Sequence, residues 1–142
     1  MPICCARRST GRAVNSDRDA SSDISPAVGP IGGLVVDAHD PGVLARFWQG
    51  IIGGRLDDTD PDWVTLVGVG AFGYVGFQRV DEPKVTKNRV HLDLDVDDLV
   101  GASAAAVALG ATAVGEVVHE PTNSFQVMCD PEGNEFCLVV TN

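Results

Sequence analysis

Alternating apolar and polar residues predict a β-strand with two different faces near position 90 of the chain. In the segment VHLDLDVD, apolar residues alternate with His91, Asp93, Asp95 and Asp97. Because successive side chains of a strand point to opposite faces, one face is apolar and the other carries an imidazole and carboxylates. The polar face is either ordinary solvent-exposed surface or the lining of a pocket that binds a metal or a small molecule.

The order of predicted elements occurs twice along the chain. In each half, a strand leads to an acidic helix start, a helix, a glycine stop and three short strands. The first half has a strand at 31–38, a helix start at Asp40-Pro41, a stop at Gly53-Gly54, and strands at 55–56, 63–67 and 72–80. The second half has a strand at 89–96, a helix start at Asp97-Asp98, a helix at 99–109, a stop at Gly110, and strands at 113–119, 124–129 and 135–140. This pattern predicts an α+β fold of two tandem βαβββ modules.

The first thirty residues differ from the rest of the chain. They are rich in Ser, Arg, Asp and Ala and show almost no apolar periodicity. We therefore expect residues 1–30 to be a disordered N-terminal tail, or an over-long start of the reading frame, and residues 31–142 to form one domain. The composition, 44% hydrophobic and 21% charged over 142 residues, is that of a globular domain with a real core.

Charge and hydropathy exclude several kinds of partner. A formal net charge of -10 opposes binding to a nucleic-acid backbone. No apolar run approaches the roughly 18 residues that a membrane span needs, and the N-terminus lacks the apolar centre of a signal peptide. We expect a cytoplasmic protein whose four cysteines, Cys4, Cys5, Cys129 and Cys137, are free thiols.

A glycine-rich segment, GVGAFG at 68–73, satisfies the spacing of the dinucleotide-binding fingerprint. That fingerprint requires a following helix whose N-terminus holds the pyrophosphate. The residues that follow, YVGFQRV, alternate as a strand does. We therefore interpret the segment as a hairpin connection and expect no nicotinamide cofactor.

Taken together, the motifs resemble the vicinal oxygen chelate superfamily, which is the glyoxalase, bleomycin-resistance and dioxygenase fold. The similar segments are FWQGIIGG, FQRVDEPKVTKNRVHLDLDVDDL and DPEGNEFCLVV, and the resemblance covers residues 31–141. Within the superfamily the chain looks most like glyoxalase-like domain proteins of the actinobacterial type. The resemblance implies an open, cup-like mixed sheet with helices on its convex side. It also implies a homodimer, because a second chain often completes the cup.

The resemblance also implies where a metal would be held. Metal-dependent members carry ligands at four matching points of the concave face, most nearly Gly33, Gln78, His91 and Cys137 in this chain. Only His91 is of the usual residue type, and Cys137 stands where Glu is common. His91 with Gln78 and Cys137 is therefore a candidate metal site with two good ligands, fewer than the three of a catalytic zinc site. Zn, Ni, Mn or Fe are the candidate divalent metals.

Strand alternation extends the set of residues on the concave face. From His91 it adds Asp93 and Asp95, from Gln78 it adds Tyr74 and Gly76, and from Gly33 it adds Val35 and Asp37. We expect His91 to act as ligand or general base with Asp93 orienting it. The remaining ligand-binding candidates are Asp37, Tyr74, Gln78, Asp95 and Cys137.

Two functions remain open at this point. One is a protein that binds a small molecule in the cup without the usual metal, for sequestration, sensing or an unconventional reaction. The alternative is a metal-dependent lyase, isomerase or dioxygenase that acts on a small oxygenated or thiol-conjugated metabolite. The first is slightly favoured because three of the four usual ligand types are missing.

Overall fold

The computed structural model describes residues 28–70 and 72–141, which form two helices and eight strands. The first module consists of β1 (Gly33–Ala38), α1 (Pro41–Ile52), β2 (Arg55–Asp60), β3 (Trp63–Val69) and β4 (Phe72–Arg79). The second consists of β5 (Asp93–Asp95), α2 (Leu99–Leu109), β6 (Thr112–His119), β7 (Asn123–Cys129) and β8 (Glu135–Thr141). Residues 1–27 of the expected tail lie outside the described residues.

The strands form two four-stranded sheets that repeat one topology. The first sheet has the order β1-β4-β3-β2 and the second has the order β5-β8-β7-β6. In each sheet the strand before the helix pairs in parallel with the last strand of its module, and the other pairs are antiparallel. The predicted α+β fold of two tandem βαβββ modules is therefore confirmed.

Both helices begin and end at the residues that the sequence predicts. The Asp40 carboxylate accepts a hydrogen bond from the Val43 N–H at 3.0 Å, and Asp98 accepts one from the Val100 N–H at 3.1 Å. These bonds satisfy donors that the first helical turn leaves unpaired. α2 ends at Gly110, whose φ of 114° is a left-handed conformation that glycine adopts without strain. Neither described helix is long and apolar enough to cross a membrane.

One hydrophobic core joins the two modules. Phe47 and Trp48 of α1 pack with Phe136 of β8, with ring centroids 6.2 and 5.1 Å from it. The apolar residues of β1 and of the strand around β5 also pack against this core, and they are Leu34, Val36, Leu92, Leu94 and Val96. The alternating residues on each strand therefore lie on the other side of the sheets, which we call the open face.

The strand predicted at 89–96 is shorter in the structure and spans Asp93–Asp95. Asp93 pairs with Cys137, so residues 89 and 90 would pair with Gly133 and Asn134. Those residues belong to the turn before β8, which offers no ladder of hydrogen bonds. Val90 is accordingly 73% exposed and does not continue the apolar face.

The glycine-rich segment at 68–73 connects two strands, as the sequence predicts. Val69 at the end of β3 pairs with Phe72 at the start of β4. No helix follows this segment in the described chain, since β4 runs directly from Phe72 to Arg79. The dinucleotide fingerprint therefore lacks the helix N-terminus on which its chemistry depends.

Candidate functional site

Three possible metal ligands meet on the open face of the second sheet. Asp93 and Cys137 are partners in the parallel ladder of β5 and β8. His91 precedes β5, and its Nε2 lies 3.3 Å from Asp93 Oδ1. One ligand atom from each of the three residues lies within 4.8 Å of the other two.

The three residues differ in their access to solvent. Cys137 is 0% exposed, whereas the side chains of His91 and Asp93 are 26% and 41% exposed. Alternation along β8 places Phe136 and Leu138 in the core and turns Cys137 to the open face. The group therefore has a buried sulfur at its base and an imidazole and a carboxylate at its solvent side.

Imidazole nitrogen, carboxylate oxygen and thiolate sulfur are all ligand types that zinc accepts. The sequence supplies two good ligands at the four expected points, and Asp93, two residues after His91, adds a third. Three protein ligands are the number that catalytic zinc sites use, with further positions left for water or substrate. The residues present therefore fit a divalent metal of the zinc or cobalt kind.

The first sheet contributes no comparable group. Asp93 lies five residues before Asp98, which caps α2, and Val35 lies five residues before Asp40, which caps α1. Val35 is thus the counterpart of Asp93, and its partner across the ladder is Gly76. Gly76 therefore corresponds to Cys137, and Gln78 lies two residues further along, opposite Asp37. Both Gln78 and Asp37 are exposed. Gln78 therefore does not occupy the position in the first sheet that corresponds to Cys137.

The remaining predicted residues lie on the two open faces. Tyr74 is half-buried and pairs with Gly33, while Asp95 is exposed and pairs with Val139. Asp37 and His91 share a cleft of about 280 Å³ between β1 and the residues before β5. The structure therefore brings one predicted residue from each module to the same cleft.

Glu135 is a residue of this cleft that the sequence does not single out. Its carboxylate lies 3.2 Å from the Lys84 Nζ and accepts a hydrogen bond from the Asn88 N–H at 2.9 Å. Burial raises the pKa of Glu135, but the hydrogen bonds from the Asn88 and Glu135 N–H groups and the Lys84 ammonium more than offset it, so the pKa is lowered. Its partners lie 47 and 51 positions away in the chain, so no local motif marks it.

Cys129 lies opposite Glu135 in the ladder of β7 and β8, whereas Cys137 lies opposite Val127. The two cysteines therefore do not face each other directly, and in the described part of the chain neither forms a disulfide. Burial raises the pKa of the Cys129 thiol, and the nearby carboxylates of Glu135 and Asp130 raise it further against the lowering effect of Lys84. Cys129 is accordingly a weaker metal ligand and nucleophile than an ordinary exposed cysteine.

Comparison with known proteins agrees with the fold. Residues 33–139 match the family model of a glyoxalase-like domain. A glyoxalase/bleomycin resistance protein/dioxygenase family enzyme from Burkholderia phytofirmans PsJN superposes with a TM-score of 0.67 at 19% identity, over 78% of this chain and 98% of that chain. A glyoxalase/bleomycin resistance protein/dioxygenase from Nocardioides gives a TM-score of 0.65 at 14% identity, over 83% and 87%.

A fosfomycin resistance protein, FosX from Mesorhizobium loti, is also similar in structure. Its TM-score is 0.63 at 13% identity, over 82% of this chain and 95% of that chain. At such identities the likeness shows the fold alone. The search of curated proteins gives no significant match.

Proposed function

Because the chain belongs to the glyoxalase-like domain family, we propose that it binds a small oxygenated molecule on its open faces, beside a divalent metal held by His91, Asp93 and Cys137. The observation that carries the proposal is the meeting of three different ligand types within 4.8 Å. The imidazole and carboxylate lie at the solvent side of the group, where a small molecule can approach. This favours the metal-dependent alternative over metal-free binding.

The ligand set supports a substrate-binding role better than a structural one. When bound at these residues, a divalent ion supplies an electrophile that polarises a carbonyl or phosphoryl oxygen. Cys137 is buried and excludes water from its side of the group. Asp93 Oδ1 lies 3.3 Å from His91 Nε2, so these two ligand atoms are already close enough to hold the same ion. Whether the bound molecule is only held or also converted, as in a lyase, isomerase or dioxygenase, depends on its own chemistry.

Cobalt spectroscopy tests the proposal without an assay of activity. The chain, with Cys4 and Cys5 replaced by serine, is titrated with Co²⁺. We expect one equivalent to bind and to produce a thiolate-to-cobalt charge-transfer band. C137S removes the band, and H91A and D93N each weaken binding at least about tenfold because each removes one of three ligands. Oxalate, a bidentate oxygen ligand, then changes the visible spectrum as it takes open coordination positions.

The chain offers matched controls for each variant. Cys129→Ser removes the other described cysteine, and Asp95→Asn removes a neighbouring carboxylate of the same strand. Both are expected to leave the band and the affinity unchanged. Failure to bind Co²⁺, or a band that persists in C137S, would overturn the metal site. A spectrum that oxalate does not alter would overturn the binding of oxygen ligands there.

We further propose that two copies of the chain form a homodimer. β6 lies at the edge of its sheet and presents one unpaired side of its backbone among the described strands. Val114 and Val117 of β6 are also 43% and 37% exposed. Light scattering after size exclusion is expected to give twice the mass of the chain, and V114K is expected to shift the mass toward that of the monomer. V100K, at an exposed valine of α2, is the control, and a monomeric parent chain would contradict the proposal.

A further inference from the structure

Two aromatic rings cover glycines on the open face of the first sheet. A Cβ atom added to Gly33 would lie 2.6 Å from ring carbons of Tyr74, and one added to Gly76 would lie 2.9 Å from the Trp63 ring. Each ring therefore occupies the space that a neighbouring side chain would otherwise fill. The backbone of the sheet supports one side of each ring.

The other sides of these rings are available to solvent. Trp63 is 37% exposed, although tryptophan is usually well buried, and Tyr74 is half-buried. Val35, which pairs with Gly76, is 43% exposed on the same face. Trp63, Val35 and Tyr74 thus form an apolar surface, which we call the aromatic platform.

Carboxylates flank the Trp63 end of the platform. Asp37 pairs with Gln78, which in turn pairs with Trp63, so two strand spacings, about 10 Å, separate Asp37 from Trp63. Asp57 of β2 pairs with Thr65 of β3, which in turn pairs with Gly76 of β4. Arg55, opposite Val67, lies in the row of Tyr74 at the other end. Arg79 also lies near Trp63, where it pairs with Asp62, but Asp60 lies opposite Trp63 as well. Carboxylates therefore outnumber cations around Trp63, in keeping with the net charge of -10.

From this arrangement we propose that the aromatic platform binds a planar aromatic ring system that carries a positive charge. The Trp63 ring offers a stacking and cation–π surface, and the Asp37 and Asp57 carboxylates complement the charge. A ligand of two or three fused rings spans the distance from Trp63 to Asp37. This inference rests on the proposed function, since it names the class of molecule that the open faces would take.

Binding of the cationic dye proflavine, followed by its fluorescence anisotropy, tests the inference. We expect saturable one-to-one binding that W63A weakens at least about tenfold, because the stacking surface is lost. Trp63→Phe keeps a smaller ring and is expected to lose less. Asp37→Asn is expected to weaken proflavine severalfold while leaving neutral acridone unchanged. Val100→Ala, at a 79% exposed valine of α2, is the control and is expected to have no effect.

Several results would overturn the inference. They are an affinity for anionic anilinonaphthalene sulfonate equal to that for proflavine, no saturable binding of proflavine, or undiminished binding by folded W63A. Circular dichroism checks the fold of each variant. The cobalt titration follows the charge-transfer band of Cys137, which lies in the second sheet. A chain that binds cobalt and oxalate but not proflavine therefore fails this inference alone, and the reverse result fails only the proposed metal site.

Discussion

The indole N–H of Trp48 donates a hydrogen bond to the buried carboxylate of Asp130 at 3.2 Å. Trp48 belongs to the first helix, and Asp130 begins the turn that leads into the last strand, so the bond joins the two modules. Asp130 is 3% exposed and also accepts hydrogen bonds from the Glu132 N–H and from the backbone and side chain of Asn134. The Asp130 carboxylate therefore stabilises the turn before β8 and also links that turn to α1.

Replacement of Asp130 by alanine is expected to lower the free energy of unfolding by about 3 kcal/mol or more. The substitution leaves the buried Trp48 N–H and the partly buried Asn134 donors unpaired, which costs more than the loss of a single exposed hydrogen bond. Urea denaturation of D130A beside the parent chain measures the loss. Asp97→Ala, at an exposed aspartate, is the control and is expected to change stability by less than about 0.5 kcal/mol.

Local patterns predicted the elements of this fold well, because their causes are local. The capping aspartates, Asp40 and Asp98, and the stop at Gly110 act on residues within one helical turn. Contacts between distant segments could not be read in the same way. The segment DPEGN has the composition of an ordinary turn, yet Glu132 also accepts hydrogen bonds from the His39 and Asp40 N–H groups at 2.8 and 2.9 Å.

The candidate site was predicted in part for the same reason. Alternation correctly placed Asp93 and Asp95 on the face opposite the core, and His91 lies beside Asp93. The meeting of Asp93 with Cys137 depends on the register of a parallel pair, which no local pattern fixes. Trp63 was predicted only as part of a strand. Its place over Gly76 follows from the pairing of β3 with β4.

The stability that Glu135 contributes is expected to depend on pH. Its pKa is lower in the folded chain than the ordinary value of 4.5, so the folded state favours the charged form. The contribution is therefore full above the unfolded pKa and is lost as the pH falls through the folded pKa. At pH 7, E135Q is expected to be less stable than the parent by about 1–3 kcal/mol, because the Lys84 pair is mostly buried.

The measurement is the difference in unfolding free energy between E135Q and the parent chain from pH 7 to pH 3. We expect a constant difference above about pH 5.5 that begins to shrink near pH 4.5. K84M removes the ammonium that stabilises the Glu135 carboxylate. In a K84M background we therefore expect E135Q to change the free energy of unfolding by less. A difference that grows as the pH falls would contradict the assignment.

Cys129 is expected to react slowly with iodoacetamide at pH 7, because burial and the adjacent carboxylates raise its pKa and leave little thiolate. E135Q removes one of those carboxylates and is expected to increase the rate about two- to fivefold. The measurement uses a chain in which Cys4 and Cys5 are serine, with peptide mass spectrometry to separate Cys129 from the buried Cys137. Equal rates in E135Q and the parent chain would show that Glu135 has no electrostatic effect on the thiol.

Gly50 and Gly110 are expected to respond oppositely to replacement by alanine. Gly110 has a φ of 114°, which alanine adopts only with strain, so G110A is expected to lose about 1 kcal/mol of stability. Gly50 lies inside α1, where alanine gains up to about 1 kcal/mol in helix propensity. Its new Cβ would lie 2.8 Å from the end of the Leu109 side chain, which is 45% exposed and free to rotate away. We therefore expect G50A to raise the free energy of unfolding by about 0.5 kcal/mol.

Comparison of G50A, L109A and the double variant isolates the contact between the two helices. If G50A is destabilising alone but stabilising with L109A, Leu109 is held in place and the two helices pack more rigidly than its exposure indicates.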